Sequence, residues 1–237
     1  MKKGLRFLEY TAIIAVLLAA ILFVVKFGGP SILRLYVETG MGNCKKIPIL
    51  CMSPQGEIIN PRVNKEYSAE LVPYTFPKTE IYLPKGFTVI KQKIKKVYYK
   101  RRKPEQDQPV VYIIHQEPNF FVNLYPQLKK QGVIDDYEFV KRIMYARPTD
   151  IKDLTSAFFT IMKGIFTPDL GEQKNVKMAQ FSVSDKKGFI NYNLTGPDHY
   201  FDCNIFNANQ DYFKVYIKDK GANLDLDKVL TIISTVN

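Results

Sequence analysis

The sequence predicts an α+β protein: an N-terminal transmembrane helix followed by an antiparallel sheet covered by helices. An uncharged, mostly apolar run at residues 10–25 predicts the transmembrane helix. From about Thr79, strand-like runs come first, helix-like runs follow, and four further strand-like runs with a closing helix end the chain. Strands and helices segregated in this way are typical of α+β folds.

The chain is long and apolar enough to build a packed domain in addition to a membrane helix. It has 237 residues, of which 46% are hydrophobic and 24% are charged, proportions that are normal for globular proteins. Its formal net charge of +11 favours anionic partners such as nucleic acid, lipid head groups or acidic polysaccharide. Which of these partners the protein meets depends on the compartment in which it is located. The N-terminal segment is the part of the sequence that indicates this compartment.

The apolar run predicts a helix that stays attached to the membrane. Residues 10–25 span roughly 24 Å as a helix, so neighbouring apolar residues must help to cross a hydrocarbon core of about 30 Å. The run is followed by KFGGPS rather than by the small residues of a signal-peptidase site. The preceding KKGLR is more basic than the residues after the run, which favours a cytoplasmic N-terminus. We therefore expect a single pass through the inner (plasma) membrane and an extracytoplasmic C-terminal domain.

Three segments follow from this organisation. Residues 1–38 form the membrane anchor and a juxtamembrane piece, in which Ile32, Leu35 and Tyr36 share one side of a short amphipathic helix that we expect to lie on the bilayer. Residues 39–78 hold five prolines and little periodicity, which predicts an irregular linker. Residues 79–237 form the extracytoplasmic α+β domain.

The stretch KKGLRFLEYTAIIAVLL resembles the N-terminus of type IV pilins and pilin-like proteins, and the pair Glu9-Tyr10 is similar to that of the tight-adherence subclass. The resemblance implies that a leader is cut after Gly4, that Leu5 becomes the new N-terminus, and that Glu9 pairs with the amine of a neighbouring subunit. Arg6 departs from the family pattern, since the family has an uncharged residue there. The alternative is an ordinary signal anchor, in which Glu9 pairs with Arg6 on the same helix face.

The cysteines allow one short disulfide. Cys44 and Cys51 either close a small loop in an oxidising compartment or remain two unpaired thiols. Cys203 lies between alternating apolar residues, which predicts a buried small hydrophobe.

The outer domain reads as strands, helices, strands and a final helix. The predicted strands are 79–92, 95–100, 109–116, 176–184, 188–195, 200–207 and 211–219, and the predicted helices are 119–132, 135–146, 149–165 and 224–236. Helix 119–132 is expected to begin at Asn119 as N-cap and helix 149–165 at Thr149 or Asp150. The element order is broadly similar to the Mog1/PsbP-like sandwich, although no motif supports that likeness.

Helix 149–165 carries an apolar stripe. Leu154, Phe158, Ile161 and Ile165 recur at the spacing of one helix face. Such a stripe in a surface helix is expected to face the core.

The sequence holds no signature of an enzyme, a metal site or a cofactor site. His115 ends an apolar strand and His199 lies in the turn GPDHY, and neither has partners at metal-ligand spacing. We therefore predict no catalytic residue, no metal and no cofactor. A hydrolase or transferase that uses His115 or His199 remains an alternative.

The most strongly charged segment is KQKIKKVYYKRRKP, which contains no acid. With Tyr98 and Tyr99 between the charges, it is a candidate anionic-ligand surface. The alternative is a solvated hairpin edge whose lysines block edge-to-edge pairing. The candidate residues are Lys91, Lys93, Lys95, Lys96, Lys100, Arg101, Arg102 and Lys103.

These observations together predict a membrane-anchored binding or assembly protein of the bacterial envelope, with a pilin-like subunit as one form of it. Its predicted partners are membrane lipid and either an envelope protein or further copies of itself, and an outer location excludes cytoplasmic nucleic acid. The alternative is a signal-anchored domain that binds an anionic envelope ligand and has no filament role.

Overall fold

A computed structural model describes residues 28–39, 44, 47–76, 78–89, 109–167 and 175–237. None of the helices in these ranges is long and apolar enough to cross a membrane. The predicted transmembrane helix lies outside the described residues and stays a prediction. The chain divides into two compact units, of which unit 1 comprises residues up to Cys51 together with Ala146–Ile165, and unit 2 comprises Met52–Tyr145 together with Phe166–Asn237.

The described residues form six α-helices, eight β-strands and three short 3-10 helices. The α-helices are α1 (Gly29–Thr39), α2 (Lys65–Glu70), α3 (Phe120–Leu124), α4 (Asp136–Tyr145), α5 (Leu154–Phe166) and α6 (Leu226–Ser234). The strands are β1 (Val72–Phe76), β2 (Thr79–Leu83), β3 (Thr88–Val89), β4 (Val110–Gln116), β5 (Lys177–Val183), β6 (Lys186–Asn193), β7 (Asp198–Phe206) and β8 (Tyr212–Lys220). The 3-10 helices are Pro48–Cys51, Pro126–Gln131 and Pro148–Asp150.

The α+β class is confirmed. Unit 2 contains a six-stranded sheet in the order β3-β4-β8-β7-β6-β5, and β1 and β2 form a separate antiparallel pair. The four C-terminal strands are an antiparallel meander, as their spacing predicts. The exception to the predicted antiparallel sheet is β3, which pairs with β4 in parallel. Parallel neighbours need a long connection, and in the sequence β3 ends at Val89 and β4 begins at Val110.

Alternating side chains on the meander bury both faces of the sheet. On one face Phe201, Cys203 and Ile205 join a core that α6 covers, and the free thiol of Cys203 is buried there, as predicted. On the other face α3 and α4 contribute aromatic rings in edge-to-face contact, for example Phe121 against Tyr212 and Tyr137 against Phe206. The sheet is therefore the middle layer of unit 2.

The segment 52–78 is part of unit 2 and differs from the predicted linker. It contains α2 and β1, and Leu71 joins the main core. Asn64 caps α2 by accepting the Tyr67 N–H at 3.0 Å. The prolines of this segment are therefore compatible with regular structure. Pro73, for example, lies in the two-stranded β1–β2 ribbon, where it interrupts no central ladder of hydrogen bonds.

The predicted helix 119–132 differs from the observed structure in its start and in its continuity. Helix 119–132 is broken into α3 and a 3-10 helix, because the residue before a proline is pushed out of the helical region and Tyr125 precedes Pro126 at φ −129°. Asn119 has a left-handed backbone and makes no capping bond; the carboxylate of Asp136 accepts the Val122 N–H instead. Gly132 ends the segment at φ 79°, as its position predicts.

Helix α5 begins later than predicted. Thr149 and Asp150 lie in the preceding 3-10 helix. Asp153 is the capping residue, since its Oδ1 accepts the Ser156 N–H at 2.7 Å.

Candidate functional site

Most of the predicted site residues lie outside the described residues. These are the processing residues Gly4 and Leu5, the assembly residues Glu9 and Tyr10, and the basic residues between Lys91 and Lys103. The assignments to all of them stay predictions. In the chain the basic segment follows the described strand β3 and precedes β4.

The two cysteines of unit 1 are joined. The sulfurs of Cys44 and Cys51 form a disulfide, with the two Cα atoms 5.6 Å apart. The 3-10 helix Pro48–Cys51 ends at this bond and buries Ile49 and Leu50. The bond therefore closes a loop of the chain, of which the described residues Ile49 and Leu50 are buried.

Helices α1 and α5 of unit 1 pack through small apolar contacts. Val37 and the partly buried Leu33 of α1 form a cluster with Ile151 and Ala157. Arg34 and Glu38 pair on the polar side of α1 at 2.8 Å. The α1 patch, defined as Ile32, Leu35 and Tyr36, lies away from the cluster, and these side chains are 64%, 61% and 69% exposed.

The apolar stripe of α5 faces outward, which overturns the expected core-facing orientation. Leu154, Ile161 and Ile165 are 80%, 36% and 47% exposed, and Phe158 is half-buried. We refer to these four residues as the α5 stripe. The helix has a second apolar side, which is the buried one and contains Ala157, Phe159 and Phe166. Helical periodicity locates an apolar stripe, but it does not reveal which of two apolar sides the helix buries.

The buried side of α5 carries its only basic residue. Lys163 is fully buried, and its Nζ donates to the Ala146 carbonyl at 2.9 Å. Burial lowers the pKa of this amine to about 7, and the nearby charge of Arg147 acts in the same direction. Sequence reasoning missed this residue because a lysine near the end of a helix is normally a solvated charge.

His115 belongs to a polar cluster at the end of β4. Its Nε2 lies 3.1 Å from Asp211 Oδ1, and its ring stacks on Phe213. Asp211 is held in turn by Asn207, whose Nδ2 donates to the carboxylate at 3.1 Å. The pair fixes the orientation of the imidazole, and the same geometry also ties β4 to the β7–β8 turn.

His199 is held by a contact with the backbone of Leu224. Its Nδ1 lies 2.8 Å from the Leu224 carbonyl oxygen, and the buried Asp219 opposite it in the sheet accepts the Leu224 N–H. His115 and His199 align with β8 residues six positions apart, a separation of about 20 Å along the strand. The two histidines therefore do not share a site.

Within the described ranges no His, Cys, Asp and Glu residues are grouped so as to hold a metal ion.

A buried polar cluster lies under α3 and α4 on the sheet. Lys214 Nζ contacts both carboxylate oxygens of the fully buried Asp202, at 2.7 and 2.8 Å, and also donates to the Phe166 carbonyl. Asn204 Oδ1 accepts from Tyr212 Oη at 2.8 Å. Burial raises the pKa of the Asp202 carboxyl group, and the Lys214 charge opposes that rise. Sequence reasoning missed this cluster, because polar residues that alternate with apolar ones in a strand are typical of a solvated face.

Comparison with protein-family models, with curated proteins and with solved structures finds no match to this chain. Its function is therefore argued from its own residues.

Proposed function

We propose that this protein is a single-pass, membrane-anchored binding or assembly protein of the bacterial envelope, with its folded part outside the cytoplasm. The observation that carries the proposal is the Cys44–Cys51 disulfide. Structural disulfides persist in oxidising compartments and are rare in the cytosol. Residues 44–51 are therefore assigned to the outer side of the membrane.

The position of the disulfide along the chain supports a membrane crossing. A basic flank precedes the apolar run 10–25, and such flanks stay on the cytoplasmic side. Cys44, the first cysteine of the disulfide, follows the last residue of the run, Val25, by fewer than twenty residues. A basic end inside and an oxidised loop outside require the run between them to cross the bilayer.

The outer part is proposed to bind rather than to catalyse. Unit 2 has a sheet packed on both faces, and in the sequence the basic segment lies between β3 and β4. Eight basic residues without an acidic one among them would attract an anionic envelope polymer, lipid head groups or an acidic partner protein. A filament role follows only if the pilin resemblance extends to leader cleavage; otherwise the protein is a signal-anchored binding domain.

Thiol counting in native cells tests the proposal. Cells are quenched in acid, denatured and treated with a maleimide polymer before or after reduction. We expect one added polymer before reduction, on Cys203, and three after it, because the chain has three cysteines and two are joined. The chain should also remain in the membrane pellet after carbonate extraction.

A Cys44→Ser, Cys51→Ser double variant is the matched control, since it should take one polymer under both conditions. Three added polymers on the natural chain before reduction would place residues 44–51 in a reducing compartment. That result would overturn the proposed topology.

A further inference from the structure

We propose that the α5 stripe lies against the outer surface of an anionic lipid bilayer, beside the membrane-proximal α1 patch. This inference rests on the proposed function, because it needs the chain to be anchored. It assigns a lipid-binding surface to a helix that is more than 100 residues from the apolar run in sequence.

The first argument is the inverted polarity of α5. Its exposed residues are Leu154, Ile161 and Ile165, all apolar, whereas its one basic side chain, Lys163, is buried. Burying an amine is costly, and leaving a row of large apolar side chains in water is a mark of an interaction surface. The helix is therefore built for an apolar environment on its outer side.

The second argument is proximity to the membrane. Helix α1 begins at Gly29, four residues after Val25, the last residue of the apolar run. Four residues of extended chain reach at most about 14 Å. Leu33 and Val37 of α1 pack on Ile151 and Ala157, so the first turns of α5 are held next to a helix that starts close to the bilayer.

The third argument is charge, which favours lipid over a second copy of the chain. Apart from the buried Lys163, residues 28–51 and 146–165 contain five basic and three acidic residues. Two such surfaces would repel each other, whereas anionic head groups attract basic residues that flank an apolar surface. Exposed Lys152 stands two residues before the start of the stripe.

Site-specific fluorescence on the full-length chain tests the inference. The chain is reconstituted in vesicles of phosphatidylcholine and phosphatidylglycerol, and an environment-sensitive fluorophore is attached to Leu154→Cys or Ile161→Cys without reduction. Cys44 and Cys51 are then joined, and Cys203 is buried. The control is Ile134→Cys, an apolar position of unit 2 that is 70% exposed.

We expect blue-shifted emission at both stripe positions and quenching by nitroxide-labelled lipid at least about twofold greater than at Ile134→Cys, as for a helix at a bilayer interface. Water-like emission from the stripe in chains that float with the vesicles would overturn the inference and leave the anchor intact. Blue-shifted emission that lipid nitroxide does not quench, and that rises with the protein-to-lipid ratio, would assign the stripe to a second copy instead. Chains that do not float with the vesicles would contradict the proposed function itself.

Discussion

The buried amine of Lys163 gives folding stability a specific pH dependence. Its pKa is about 7 in the folded chain and about 10.4 in an unfolded one. Between these values the unfolded state binds one more proton than the native state, so stability rises with pH. We expect the free energy of unfolding to increase by roughly 1 kcal/mol per pH unit from pH 7.5 to 9.5, measured by urea denaturation followed by circular dichroism.

Two variants isolate this effect. Lys163→Met should be more stable than the natural chain at pH 7 and should lose the rise, because it removes the buried amine. Lys152→Met, at an exposed lysine of the same unit, should keep it. A rise that persists in Lys163→Met would assign the pH dependence to another group.

The Asp202–Lys214 pair is predicted to be strongly coupled. Lys214→Met leaves the carboxylate of Asp202 buried without its base, which should destabilise unit 2 by about 3–5 kcal/mol. Adding Asp202→Leu should recover much of that loss, because an apolar pair replaces the ions without leaving a charge. Without Lys214 the pKa of the Asp202 carboxyl should rise further, so the penalty of the single variant should shrink at acidic pH.

A double-mutant cycle from denaturant titrations gives the coupling energy. Additive effects of the two substitutions would show that the ion pair contributes nothing beyond its separate residues.

At the scale of elements, the sequence predicts the C-terminal strands far better than the helix orientations. The runs of strand-forming residues and the short turns between them in 176–219 specify the four strands and their antiparallel order, as the register of β5 to β8 shows. A helix with apolar residues on two sides leaves its orientation open, and α5 buries the side with Lys163. The Asp202–Lys214 contact depends on the register between β7 and β8 and on the cover of α3 and α4, which no local pattern encodes.

The start of α5 offers a direct comparison between a predicted and an observed cap. Asp153→Ala should cost about 1 kcal/mol, because Asp153 accepts the Ser156 N–H. Asp150→Ala removes an exposed pair with Arg147 and a 3.3 Å hydrogen bond from the Thr149 hydroxyl, and it should cost less than about 0.5 kcal/mol. Thermal unfolding of both variants at pH 7 measures the difference.

The pH dependence of the cap adds a second test. Hydrogen bonds from Ser156 hold the pKa of Asp153 below its ordinary value, so its contribution is present at neutral pH and is lost as the pH falls through that lowered value. A loss of stability that is larger in Asp150→Ala than in Asp153→Ala would show that Asp150 is the residue that caps α5.

At the scale of the whole molecule, function depends on compartment more than on fold. An α+β sheet with both faces packed supports many activities, and the same net charge of +11 would favour nucleic acid inside the cell and anionic polymers outside it. The disulfide therefore contributes more to the functional assignment than the architecture of unit 2 does.

The N-terminal mass of the protein purified from its native membrane decides between the two forms of the proposed function. The pilin resemblance predicts a chain that starts at Leu5, because the leader ends at Gly4. Glu9 would then lie in a mature helix with no leader, where a buried carboxylate needs a positive partner such as the new amine of a neighbouring subunit. In that case Glu9→Ala should abolish assembly, whereas Glu38→Ala, at an exposed pair of α1, should leave it intact.

A chain that starts at Met1 would assign the ordinary anchor. Arg6 and Glu9 would then share a helix face at the membrane edge, and Glu9→Ala should be tolerated, since Arg6 can extend to the head groups without its partner. Neither outcome bears on the proposed outer location of residues 44–51, because the disulfide does not depend on leader processing. The mass therefore tests the filament role alone.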